Sequence, residues 1–254
     1  MDMTDMTAKT GTRIPMSRIQ KLIGERMLES KRTKPCYYIG IKADTTELMD
    51  SRHELKKRLG VKITSNAFYI KALGLAVKEF PLMVGSLPAC GETPRLEGRE
   101  ACGSPFGGQG DSIKIADSVN VGFAVSAPHG LVVPVVKEAD KKSLAEIAVL
   151  EKELTDKARS NKLSLDDITG ETIGLSNLGV YDIDSFIGIV PPPATTILAV
   201  GNTLRTAVPQ NGQVVIRKIT DLTIAVDSRV VPDPYAAKFL ARIAELLKGP
   251  KRLI

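Results

Sequence analysis

The chain has 254 residues, 43% of them hydrophobic, and a formal charge of +6. That supply of apolar side chains fills a sizeable core, in one large domain or two small ones, and excludes disorder on a large scale. Its 35 Lys and Arg are scattered among 29 acids, which argues against nucleic acid as a partner and leaves acidic domains or coenzyme phosphates as what a diffuse basic surface attracts.

No apolar run approaches the roughly 20 residues that cross a bilayer, and the opening MDMTDMTAKTGTR lacks the apolar centre of a secretory signal. An intracellular, soluble protein without membrane association is expected. Cys36, Cys90 and Cys102 have no zinc spacing, and no metal site is expected from them or from the only two histidines, His53 and His129. Cys90 and Cys102 flank one loop and can pair in an oxidising compartment; free thiols are the preferred reading.

Residues 1–12 read as a flexible tail, with order starting at Arg13. Ser17 and Gln20 have capping-box spacing, and Ile19, Leu22, Ile23 and Met27 recur at helical intervals, which predicts an amphipathic helix to about Ser30. CYYIGIKAD, residues 36–44, is rich in β-formers and predicts a strand. A helix follows from about Thr46 to Leu59, stopped by Gly60. Another, from Ser65 to Phe80, is apolar around most of its circumference and belongs at the centre of the core.

Residues 88–110, dense in Gly and Pro, read as a loop. Two β-runs, 113–126 and 131–136, are joined by Ala127-Pro128-His129-Gly130. Ser143 and Glu146 form a capping box that opens a helix bearing Leu144, Ile147, Leu150, Leu154 and Ala158 on one side. Strands are expected at 171–176, 195–200 and 214–226. A last helix spans 234–247, with Asp233 as N-cap and Pro234 in its first position. Strands and helices mixed irregularly imply an α/β or α+β two-layer sandwich, with residues 13–254 as one core domain.

Four segments in order carry a resemblance: RIPMSRIQKLIGERMLESK at the front, VNVGFAVSAPHGLVVPVVKEADKKSLAEIA in the middle, GETIGLSNLGVYDIDSFIGIVPPPATTILAVG, and DSRVV near the end. Together they resemble the catalytic core domain of the dihydrolipoyl acyltransferases of 2-oxo acid dehydrogenase complexes. The resemblance implies a chloramphenicol acetyltransferase-like fold, a mixed sheet with helices, assembled as a trimer with active sites between subunits. It also implies coenzyme A and a lipoyl group as substrates, and a bacterial cytoplasm or mitochondrial matrix as the compartment.

That family ends its last strand in Asp-His-Arg-Val-Val-Asp-Gly. Asp227, Arg229, Val230 and Val231 match, but Ser228 stands at the histidine and Pro232 at the second aspartate. Acyl transfer between thiols needs a base for the attacking S–H, typically contributing about 10²–10⁴-fold, and a serine hydroxyl does not hold that proton at neutral pH. Ser176, in LSNLG, matches the family's oxyanion donor; a serine before Asn-Leu-Gly also bonds local backbone, and with the base absent the structural role is preferred. Lys141, Lys142 and Ser143 match a segment near the family's coenzyme A entrance, where a helix N-terminus suits phosphate. They equally suit an ordinary capped helix.

His53, on a charged helix, and His129, in a turn, are not expected to replace the base. Asp182 and Asp184 read as loop residues, and Pro191-Pro192-Pro193 as a rigid entry into the next strand. Leu253 and Ile254 resemble the family's terminal apolar anchor between trimers. A serine at the histidine site most resembles protein X, the dihydrolipoyl dehydrogenase-binding paralogue. Three functions follow: a scaffolding core subunit of a 2-oxo acid dehydrogenase complex, with pyruvate preferred, homotrimeric or co-assembled with an active acyltransferase; an active acyltransferase; or a protein keeping the coenzyme A channel as a ligand site.

Overall fold

In the computed structural model the described residues are 11, 13, 15–16, 18–87, 112–128 and 130–254. The expected tail apart from Gly11, the Ser17 cap, the 88–110 loop, Cys90, Cys102 and His129 lie outside them.

A six-stranded mixed sheet organises the fold, and its strands come from both ends of the chain. Its strands are β1 (Cys36–Asp44), β4 (Val121–Phe123), β7 (Val135–Val136), β8 (Ile173–Asn177), β9 (Thr196–Gln210) and β10 (Gln213–Asp227), in spatial order β1-β10-β9-β8-β4-β7. β8 runs parallel to both β9 and β4, and the remaining pairs are antiparallel. Two short ribbons lie outside it: β2 (Gly85–Ser86) with β3 (Lys114–Ile115), and β5 (Val125–Ala127) with β6 (Gly130–Val132).

Helices α2 (Thr46–Leu59), α3 (Ser65–Glu79), α4 (Leu144–Arg159) and α5 (Asp233–Lys248) cover one face. α3 is the buried centre expected: Phe68, Ile70, Leu73 and Ala76 are fully enclosed, and the Thr64 hydroxyl caps it by accepting from the Ala67 amide. Gly60 ends α2 in the left-handed conformation that glycine adopts without cost. The two-layer α/β sandwich is confirmed.

Alternation along the strands gives the sheet a second face. Ile173 and Leu175 of β8 enter the main core, which turns Gly174 and Ser176 the other way. There a smaller cluster of Val190, Ile197, Ala225 and Cys36 forms under residues 188–194. Helix α1 (Arg18–Thr33) lies alongside: Arg26 donates to the Pro192 carbonyl, Ser30 to that of Val190, and Lys34, just beyond the helix, to that of Ala194. Of the apolar stripe expected on α1, Leu22 is about half exposed while Ile23 and Met27 are half-buried, and Leu28 beside it is also about half exposed.

Several boundaries differ from expectation. The run 113–126 is broken into β3, β4 and β5, because Asp117-Ser118 bends the chain and Asn120 uses its side chain to bond Glu138 and Gly170. β9 extends ten residues beyond Val200, through Pro209, forming with β10 a long hairpin. Its turn is Asn211-Gly212, both residues at positive φ, the pair such turns favour. α5 starts one residue early: Pro232 is the boundary residue, and Asp233 and Pro234 are its first two positions.

Candidate functional site

The end of β10 is a tight polar corner. Asp227 is buried, and Arg229 reaches back in a fork, Nε to Oδ1 at 2.9 Å and a terminal nitrogen to Oδ2 at 2.5 Å. The Arg229 amide adds a third bond to Oδ1, so the carboxylate is consumed in holding the turn. Ser228 is exposed between them, its hydroxyl donating to the Pro35 carbonyl at 2.7 Å and its amide to the same oxygen at 3.1 Å. Pro232 contributes a carbonyl to the first turn of α5, accepting from the Tyr235 and Ala236 amides, and has no side-chain donor or acceptor.

Ser176 lies on the second face of the sheet, on β8. The turn after it is closed by Asn177, whose Oδ1 accepts from the Gly179 amide at 3.0 Å and whose Nδ2 donates to Asn66 at 2.8 Å. The backbone role preferred for Ser176 therefore belongs to its neighbour, and its hydroxyl is left over for other use. Register fixes its distance from the corner: Ser176 pairs with Ala199, which pairs with Thr223, four residues before Asp227. Two strand spacings and four residue rises make a separation of about 16 Å. Positions 176 and 228 of one chain cannot meet at one reacting bond.

The segment Lys141–Ser143 is engaged within the chain. Ser143 and Glu146 form the expected reciprocal capping box, Lys141 pairs with Glu138 at 2.6 Å, and the Lys142 carbonyl accepts from Lys71. Burial lowers the Lys71 pKa. These contacts form the cap expected of an ordinary helix start. His53 is exposed on α2 as expected, and Asp182 and Asp184 are exposed loop residues. Asp184 has a packing role, since its carbonyl lies where a Cβ at Gly201 would fall, 1.8 Å away. Leu253 departs from expectation: Pro250–Leu253 is a helical turn that folds back and buries Leu253 completely in the chain's own core, leaving Ile254 exposed.

Sequence reasoning missed Glu171, which stood only as the first residue of a strand. Its carboxyl lies over Gly122 and Gly174, where a Cβ on either glycine would come within 2.6 Å and 3.1 Å of it. Its Oε1 is buried without a hydrogen-bond partner. Burial raises its pKa to about 7 against the opposing pull of Arg26 and Lys34. The available signal was a charged residue entering a strand opposite glycines.

Comparison with known proteins follows the same positions. The 2-oxoacid dehydrogenases acyltransferase (catalytic domain) family matches residues 8–254. The chain belongs to that family. The acetyltransferase component of pyruvate dehydrogenase complex from Rickettsia felis is 33% identical over 95% of this chain and 54% of its own length. The succinyltransferase component of 2-oxoglutarate dehydrogenase complex from Cupriavidus necator is 33% identical with the same coverages. The chain spans about half the length of these curated acyltransferase relatives.

The crystal structure of the Azotobacter vinelandii dihydrolipoamide acetyltransferase superposes with TM-score 0.83 at 30% identity, covering 95% of this chain and 93% of that one. The catalytic mechanism of that acyltransferase was investigated at a serine, a histidine and an asparagine, spaced as positions 176, 228 and 232 are here. A structure with the same score and identity is the cubic core of the pyruvate dehydrogenase multienzyme complex. Chloramphenicol acetyltransferase, at TM-score 0.50 and 12% identity over 88% of this chain and 94% of its own, shares the fold. Among the described residues of this acyltransferase-family chain, no helix is long and apolar enough to cross a membrane.

Proposed function

We propose that this chain is a core subunit of a 2-oxo acid dehydrogenase complex, pyruvate preferred, whose role is structural and whose acyl transfer is residual, as in a protein X-like paralogue. The observation that carries this is the hydroxyl of Ser228 spent on the Pro35 carbonyl at the position of the family histidine. Pro232, without a polar side chain, stands where the Azotobacter enzyme has its investigated asparagine, and Asp227 is tied to Arg229. Neither Ser228 nor Pro232 supplies a base at this corner, and the Asp227 carboxylate is held by Arg229.

Assembly follows from uncovered surface. Val180 is 80% exposed, Tyr181 61% and Ile187 55%, and Leu22 and Leu28 of α1 are about half exposed as well. Apolar residues in such number suit burial against copies of the chain or an active acyltransferase in a trimer. In a trimer with active sites between subunits, as the family resemblance implies, Ser176 of one chain would meet position 228 of the next. Mass measurement of the purified particle tests assembly: a monomer overturns this reading. Acetyl transfer from acetyl-coenzyme A to dihydrolipoamide at the rate of an ordinary acyltransferase overturns the residual-activity part.

A slow active acyltransferase is supported by Ser176, whose hydroxyl stays out of the Asn177 turn and faces the second side of the sheet.

A further inference from the structure

Glu171 is a partly buried titratable group on this face, beside Lys34 and Cys36, that the assembly reading does not use. Its carboxyl rests on Gly174, and the next residue on the same side of β8 is Ser176, roughly 7 Å along the strand. Arg26 of α1 and Lys34, just beyond it, are the charged groups that act on it. Both direct their side chains to backbone carbonyls, at Pro192 and Ala194, and leave the acid without a salt bridge. The strand positions its carboxyl packs against are Gly122 and Gly174, which carry no charge.

We propose that Glu171 is the proton acceptor for residual thioester exchange at Ser176. The chemistry sets three distances. An oxyanion sits about 2.7–3.1 Å from its donor, an attacking sulfur about 3–3.5 Å from the carbonyl carbon, and a base about 2.6–3.2 Å from the atom it deprotonates. A thioester carbonyl held by the Ser176 hydroxyl and a thiol presented to the Glu171 carboxylate then lie on the same side of β8. The incoming sulfur attacks the carbonyl carbon as Glu171 takes its proton, and Ser176 donates to the oxygen that gains charge. Collapse breaks the original C–S bond, and the departing sulfur takes the proton back from Glu171. Nothing is oxidised or reduced, and the acyl group passes between two thiols of the coenzyme A and dihydrolipoyl class. A pKa near 7 suits this duty, because the carboxylate is present at neutral pH while the thiol stays protonated.

This inference rests on the residual-activity reading. Its test is acetyl transfer to dihydrolipoamide by the assembled full chain, from about pH 5.5 to about pH 8.5, in the unmodified protein, Glu171→Gln and Ser176→Ala. The expected result is a slow rate that rises through an inflection near pH 7 and falls by about 10²-fold in Glu171→Gln, with unchanged KM for acetyl-coenzyme A. The glutamine is isosteric with the protonated acid, so it keeps the particle mass and fold. Retention of the rate and of the inflection in Glu171→Gln overturns the proposal. An unmodified protein with no transfer above buffer overturns it too, while particle mass still decides the assembly reading.

Discussion

Ser228 and Pro35 are joined twice, by the hydroxyl at 2.7 Å and the amide at 3.1 Å, both to one carbonyl oxygen. The bond pins the end of β10 to the residue before β1, next to the Cys36–Asp227 pair that begins the ladder. It stabilises the corner and removes it from proton chemistry. Restoring the family residues should reverse this. Ser228→His with Pro232→Asp is expected to raise acetyl transfer by about 10²–10⁴-fold, the range of a positioned base. Ser228→His alone should gain less, because position 232 would still lack a polar partner. An unchanged rate in the double variant would show that more than these two side chains has been lost.

Asp227 sets the geometry that any residue at 228 inherits. Buried and held by three bonds from Arg229, it keeps only the bond from the backbone amide and loses its guanidinium partner if that side chain is cut away. Arg229→Ala should destabilise the fold by about 3–5 kcal/mol, as breaking other buried pairs does. Urea denaturation with an unchanged m-value is the measurement. A loss below about 1 kcal/mol would class the fork with ordinary surface pairs.

The parts legible in the sequence are those where local chemistry and packing agree. β1, α2 and the α4 capping box were read to the residue because β-formers, a C-terminal glycine and a Ser-x-x-Glu cap act within a few residues of chain. The far half of β9 was not, because Gly201, Asn202 and Pro209 argue locally against a strand while pairing with β10 overrides them. The Asn-Gly turn at 211–212 was the signal that would have extended it. Within the site, Ser228 and Pro232 were legible as replacements. The Asn177 turn, the fold-back of Leu253 and the seat of Glu171 depend on residues far apart in sequence, which spacing alone does not bring together.

Glu171 also makes a stability prediction. Its folded pKa of about 7 lies above the ordinary glutamate value of roughly 4.3. The folded state therefore keeps a proton that the unfolded chain releases. The stabilisation is complete below about pH 4.3 and is lost as pH rises through about 7. Glu171→Gln does not titrate, so its stability relative to the unmodified protein should climb between about pH 5 and about pH 8. The full shift corresponds to about 3 kcal/mol, and partial exposure of the residue brings the measured gain below that. Urea midpoints of both proteins across this range check it; parallel pH profiles would show that the carboxyl titrates normally.

Leu253 and Ile254 separate two roles that sequence assigned to one anchor. Leu253 is wholly enclosed in the main core beneath α5, whereas Ile254 is 47% exposed. Leu253→Ala should therefore cost about 2–5 kcal/mol through lost burial and the cavity left behind. Ile254→Asp removes only exposed apolar surface and should leave the melting midpoint unchanged. If the terminus links trimers, Ile254→Asp reduces particle mass to that of a trimer without loss of stability. Removing residues 251–254 together would confound the two effects, because the cut also empties the Leu253 site. Equal particle masses for Ile254→Asp and the unmodified chain would place the contacts between trimers elsewhere on the surface.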